Sequence, residues 1–274
     1  LLLLVTPIFL AQSITPAASK NEVVKPDPAM KVDTPAKGKI TGYFDSAPVD
    51  FKMLVGPPPS VGSKQDEVDI AKFRLWQLKE DSPRWEQAKA DAAADPSRFS
   101  EAFGIEISEK NTPILSHLLA RASVDIETTV NDAKAFFGRP RPFQRFQLEH
   151  VCGMASAPAP DLNVKKGTSY PSGSGGFGWM TAFLLSEVDP AHAQALLSRA
   201  KEYAESRMVC GAHFPTDLAA SQALASALIG KLHSNGQFQQ DVACAQEEHA
   251  VMVHSKEKLN ADCAMMKEKL TKQD

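Results

Sequence analysis

The chain has 274 residues, 43% of them hydrophobic and 23% charged, and a formal net charge of −3. Such values are ordinary for a globular protein large enough to bury a core without metal or disulfide staples. They exclude collagen, a disulfide knot and a polytopic membrane protein, and they offer no basic face for nucleic acid or an anionic membrane.

The apolar run from Leu1 to Ala11 is shorter than the roughly 20 residues that span a bilayer. With the small residues that follow, it reads as a truncated secretory signal peptide over 1–19. A buried helix at the start of a domain is the alternative. Residues 20–60, rich in Pro, Lys and Asp, predict an irregular N-terminal arm ending in Gly56-Pro57-Pro58-Pro59. Ser63 with Asp66 resembles a capping box, opening a helix to about Glu80. Ser82-Pro83 opens another that ends near Asp95-Pro96, and a short helix covers about 97–103.

Asn111-Thr112-Pro113 opens a long helix. Its Leu115, Leu118, Ala122, Ile126, Val130, Ala133 and Phe137 recur every three or four residues as one apolar face, and Gly138 stops it. A polar loop over about 144–170 precedes three more helices: Ser172 to about Val188, Asp189-Pro190 to about Val209, and Pro215 to about His233. Gly236 breaks the chain again. The predicted fold is all-α: one helical domain over 61–250, followed by a charged helical tail over 251–274. Cys152, Cys210, Cys244 and Cys263 allow three pairings. Cys152 with Cys210 and Cys244 with Cys263 is preferred because each pair lies in one region of the chain; free buried thiols are the alternative.

Three clusters carry chemistry. Lys134, Arg139 and Arg141 place cations at and just past a helix end, on backbone that the following prolines hold extended. Alone, that is also a favourable cationic helix C-terminus. Ser169-Tyr170-Pro171-Ser172-Gly173-Ser174-Gly175-Gly176 runs small residues into a helix N-terminus, where free N–H groups and the dipole attract anions. An ordinary serine cap reads the same way. In Ser206-Arg207-x5-His213-x3-Asp217 the aspartate is spaced to reach the imidazole. A carboxylate on one ring nitrogen leaves the other free as nucleophile or base; a structural His–Asp pair is the alternative.

In that order, K-x6-R-P, P-S-G-x and S-R-x5-H-x3-D resemble the phosphate-binding signature of the type 2 phosphatidic acid phosphatase and vanadium haloperoxidase superfamily. Gly56-Pro-Pro-Pro, Ser100 to Ser108, Ser169-Tyr-Pro-Ser-Gly and Phe177-Gly-Trp179 look like its class A bacterial non-specific acid phosphatases, and the likeness runs from about 50 to about 245. The resemblance implies a four-helix core and hydrolysis of phosphomonoesters through a phosphohistidine, without metal or cofactor. Lys134, Arg141 and Arg207 would bind phosphoryl oxygens, with Ser172 and the Gly173 amide completing the cradle. His213 would attack phosphorus, and Asp217 would orient and charge-stabilise it. The resemblance also implies inorganic phosphate as product and a homo-oligomer, while the leader reading implies export to the periplasm or medium.

One position departs. The family has a general-acid histidine after P-S-G, and here Ser174 stands there. That predicts an enzyme impaired with, or selective against, poor leaving groups. His150 is a candidate replacement acid, and Gly175-Gly176 in place of a bulkier pair predicts a roomier pocket wall. A phosphate-binding protein without turnover and a vanadium-dependent haloperoxidase are the competing readings. His117, His192, His233, His249 and His254 are expected to be structural or solvent-facing.

Overall fold

The computed structural model describes residues 40–77, 81–148, 151–152, 168–254 and 258–272. The expected leader, the arm before residue 40 and His150 lie outside the described residues. Among the described residues there is no strand, so the fold is all-α, as predicted. The helices are α1 (Phe51–Leu54), α2 (Lys64–Arg74), α3 (Pro83–Ala90), α4 (Ser100–Phe103), α5 (Pro113–Phe137), α6 (Pro142–Arg145), α7 (Gly173–Val188), α8 (Ala193–Val209), α9 (Pro215–Leu232), α10 (Gly236–His254) and α11 (Ala261–Thr271). Short 3₁₀ turns, Pro96–Phe99 and Pro190–His192, lead into α4 and α8.

The predicted apolar face of α5 is the spine of the core. Leu115, Leu118, Ala122, Ile126, Val130 and Ala133 are buried, and Gly138 ends the helix at a φ of 62°. Thr112 gives α5 no side-chain cap. The Glu248 carboxylate of α10 accepts from the Ile114 and Leu115 amides at 3.3 and 3.0 Å instead.

Helix α7 packs on α5, α8 and α9, while α10 covers α5 and α7. Its glycines exist for this close approach. A Cβ at Gly175 would sit 2.4 Å from the Ser221 hydroxyl of α9, and one at Gly178 would sit 2.6 Å from the Tyr203 ring of α8. A Cβ at Gly176 would meet Ile126 of α5 at 3.1 Å. The expectation of a roomier pocket at Gly175-Gly176 is therefore corrected: neighbouring helices already fill that space.

Several boundaries move for identifiable reasons. Helix α2 stops at Arg74, short of Glu80, and the Gln77 amide turns to donate to the Met208 carbonyl at 2.7 Å. Helix α3 stops at Ala90 because Asp91 turns inward to the Arg199 guanidinium and accepts from Ser206 at 2.7 Å. The one-turn helix α6 overlaps the start of the predicted polar loop.

From residue 40 the arm is packed. Tyr43, Val49, Phe51 and Val55 join the main core, and the Tyr43 hydroxyl donates to Asp241 at 2.7 Å. Helix α11 also lies on that core through Cys263, Met266 and Leu270. Disulfides join Cys152 to Cys210 and Cys244 to Cys263. Among the described residues no helix is long and apolar enough to cross a membrane.

Candidate active site

The three motifs converge where α5 and α6 meet the N-termini of α7 and α9. Arg207 lies in the last turn of α8, and its carbonyl accepts from the amides of Ala212 (2.9 Å) and His213 (3.3 Å). That tight reversal needs Gly211 at a φ of 72°. Phe214 caps α9, and Asp217 in its first turn folds back so that Oδ2 accepts from the Phe214 amide at 2.8 Å. His213 and Asp217 are thus set by the local geometry of one helix start. The amide of Ser172 donates to the Asp217 carbonyl at 3.0 Å, which butts the N-terminus of α7 against that of α9. Both helix dipoles then present their positive ends to one region.

His213 is wholly buried. Its Nδ1 lies 2.8 Å from the Ser169 carbonyl, which can only accept, so Nδ1 carries the proton and Nε2 keeps its lone pair. Nε2 faces Arg141, whose Nη1 is 3.3 Å away. Asp217 Oδ2 is 3.5 Å from Nδ1. It therefore acts on the ring as a nearby charge, while the Ser169 carbonyl fixes the tautomer. Burial pushes the His213 pKa down to about 3, and the Arg141 and Lys134 charges push the same way against Asp217. Asp217 is held below the usual carboxylate range: burial alone would raise it, but the His213 ring, Arg139 and the Ser169 hydroxyl outweigh that.

Arg141 is anchored by Nε on the Thr168 hydroxyl at 3.0 Å and by Nη2 on the Thr168 carbonyl at 3.3 Å. Lys134 is buried close enough for its charge to act on the His213 ring, and Arg207 is buried in the last turn of α8. Ser172 caps α7 by accepting from the Gly175 amide at 3.1 Å, so Gly173 and Ser174 occupy the first helical positions, where backbone N–H groups have no partner within the helix. Ser174 is 1% exposed, and its hydroxyl has no hydrogen-bond partner among the described residues. Among those residues no cluster of three or more His, Cys, Asp or Glu is placed to hold a metal ion.

His192 and His249 pair with Asp189 and His233 with Glu187, and burial lowers the pKa of His117. The Cys152–Cys210 bridge ties the segment after α6 to the turn that carries His213.

Three participants escape motif reading. Ser169 gives its carbonyl to His213, its hydroxyl to Asp217 at 2.6 Å, and its amide to the Arg139 carbonyl at 2.9 Å. Arg139, which looks in sequence like another phosphate cation, instead grips Asp217 Oδ1 at 2.6 Å. Asp69 comes from α2 and has no local signal at all. Sequence hints at two of them, Ser169 by its adjacency to Pro-Ser-Gly and Arg139 by its place in the cation cluster, but at neither role.

The profile of the PAP2 superfamily matches residues 113–239. A non-specific acid phosphatase of Providencia stuartii is 35% identical over 224 residues, covering 80% of this chain and 88% of that protein. An acid phosphatase of Zymomonas mobilis is 31% identical, covering 76% and 77%. A non-specific acid phosphatase of Salmonella typhimurium is 32% identical, covering 73% and 80%.

Proposed function

Because the chain belongs to the PAP2 superfamily and is an acid phosphatase acting on phosphomonoesters, we propose that it works through a phosphohistidine at His213. The observation that carries this reading is the buried, neutral imidazole with Nδ1–H on the Ser169 carbonyl and Nε2 facing Arg141. Nε2 donates its lone pair to phosphorus, and the bond from phosphorus to the ester oxygen breaks with its electron pair leaving on that oxygen. The phosphorylated ring keeps its Nδ1 proton and is cationic, which the Asp217 charge at 3.5 Å favours. Water then attacks phosphorus, inorganic phosphate departs, and the ring regains its lone pair. Lys134, Arg141 and Arg207, with Ser172 and the Gly173 amide at the α7 N-terminus, neutralise and position the phosphoryl oxygens. Phosphoryl transfer needs chiefly that kind of support, and the scheme requires no cofactor.

Ser174 marks the weak step. A serine hydroxyl is far too weak an acid to protonate a departing alkoxide at mildly acidic pH. Loss of a positioned general acid costs about 10²–10⁴ in rate. The penalty should fall on alkyl esters and spare nitrophenolate, which leaves unaided. Glycerol phosphate and p-nitrophenyl phosphate, assayed side by side with and without Ser174→His, test this. The substitution should raise turnover of the alkyl ester far more than that of the aryl ester. Equal rates on both esters and no effect of Ser174→His would sink the account, and full turnover by His213→Ala would remove the phosphohistidine.

The apolar run Leu1–Ala11 and the two disulfides support export to the periplasm or the medium, since cytosolic thiols are kept reduced. Protein recovered from those fractions should begin between residues 12 and 20 on N-terminal sequencing. Recovery only from cytosol with the leader intact would refute this.

A further inference from the structure

We propose that Arg139 is a positioning residue for the phosphatase reaction: held by Asp69 of α2, it clamps the Asp217 carboxylate against His213 rather than binding phosphate. The inference rests on the phosphohistidine reading. Arg139 and Arg141 are two residues apart and resemble a pair of phosphate ligands, but the fold gives them opposite faces of the His213–Asp217 pair. Arg141 meets Nε2, the reactive side. Arg139 meets the far side of Asp217, with Nη1 2.6 Å from Oδ1.

Each group in the clamp is itself fixed. Arg139 is 4% exposed; Nη1 also donates to the Thr216 hydroxyl at 2.8 Å, and Nη2 donates to Asp69 Oδ2 at 2.8 Å. Its guanidinium carbon lies 4.3 Å from the centre of the Phe214 ring. Asp69 accepts from the Thr216 amide at 3.2 Å and from the Thr216 hydroxyl, so α2 caps the start of α9 from 147 residues away. Asp217 is then saturated: Arg139 holds Oδ1, while the Ser169 hydroxyl and the Phe214 amide hold Oδ2 at 2.6 and 2.8 Å. A buried carboxylate this constrained cannot turn away from the ring. Without Arg139 it would be a buried charge lacking its guanidinium partner, which is costly and favours protonation.

Charge balance points the same way. Among the described residues, Asp66, Asp69 and Asp217 share the guanidiniums of Arg139 and Arg145, three negative charges against two positive. Of these carboxylates, Asp217 stands 3.5 Å from His213 Nδ1, and the ring turns cationic when Nε2 bonds to phosphorus. An environment charged in advance for that change lowers the barrier without reorganising. Lys134 and Arg141 face the ring from the α5 and α6 side and are offset by the phosphoryl oxygens when substrate is bound.

The test uses the full chain with p-nitrophenyl phosphate, measuring kcat and KM separately from pH 4 to 7 for wild type, Arg139→Gln, Arg139→Lys, Asp69→Asn and His213→Ala. Circular dichroism and thermal unfolding establish that each variant folds. Arg139→Gln should lower kcat by about 10–100-fold, the scale of loss seen when the hydrogen-bonded partner behind a metal-ligating side chain is removed. KM should stay within about threefold, because no ground-state contact with phosphate is lost. The acid limb of kcat should move to higher pH, since Asp217 becomes easier to protonate. Arg139→Lys should recover part of kcat. Asp69→Asn should show the same pattern more weakly, and it carries the test if Arg139→Gln does not fold. A raised KM with unchanged kcat would make Arg139 a phosphate ligand, and unchanged kcat and pH profile in folded variants would leave it purely structural; either overturns the proposal. Full activity in His213→Ala would instead bring down the phosphohistidine reading beneath it.

Discussion

A buried imidazole that acts as a nucleophile must stay neutral and present the correct nitrogen. His213 meets both demands with neighbours that sequence spacing does not expose. The motif places Asp217 four residues on, and spacing alone puts its carboxylate on one ring nitrogen. The structure gives that proton to the Ser169 carbonyl and leaves Asp217 as a charge at 3.5 Å. Burial, Arg141 and Lys134 take the His213 pKa to about 3, far below the ordinary histidine value of 6.5. In phosphate-free enzyme, NMR titration should therefore show the His213 ring resonances unmoved between pH 7 and 5, where exposed histidines shift. Movement with a midpoint near 6.5 would mean a solvated ring. The sign is fixed: with the folded value below the unfolded one, the unfolded chain holds the extra proton between them, so this group's contribution to stability falls as pH drops through that window. Lys134, Arg141, Ser172, Arg207, His213 and Asp217 were legible because each stands in a spaced motif. Ser169, Arg139 and Asp69 were not, because their roles depend on contacts that only folding creates.

At the scale of elements, hydrophobic spacing located α5 to the residue, and Pro and Gly punctuation located the starts of α3 and α7. Those signals are local. What escaped was decided by partners elsewhere: Gln77 and Asp91 leave their helices for contacts on or near the end of α8, and α1 lies on the core through Phe51. The start of α5 shows the same dependence. Its two first-turn amides are satisfied by Glu248, which burial raises above the usual carboxylate value. Glu248→Ala should destabilise the fold by about 1–3 kcal/mol, the cost of stranding buried donors at a helix start. Urea unfolding measures this, and kcat should hold in the folded fraction because Glu248 lies on α10, which carries none of the proposed phosphate-binding residues. Undiminished stability would mean that water or Thr112 takes over the cap.

Across the whole molecule, the site draws on both sides of residues 153–167. Lys134, Arg139 and Arg141 precede that span; Ser169, Ser172, Arg207, His213 and Asp217 follow it. The slight negative net charge of the chain hides this gathering of cations, which the average cancels. Helix α7 is the element through which the two sides meet, packing on α5 from one and on α8 and α9 from the other. The Cys152–Cys210 bridge crosses the same divide, with a sequence separation of 58. A protease cut anywhere between those cysteines yields two polypeptides but not two molecules. The fragment bearing Lys134 stays covalently attached to the fragment bearing His213 until a reductant separates them.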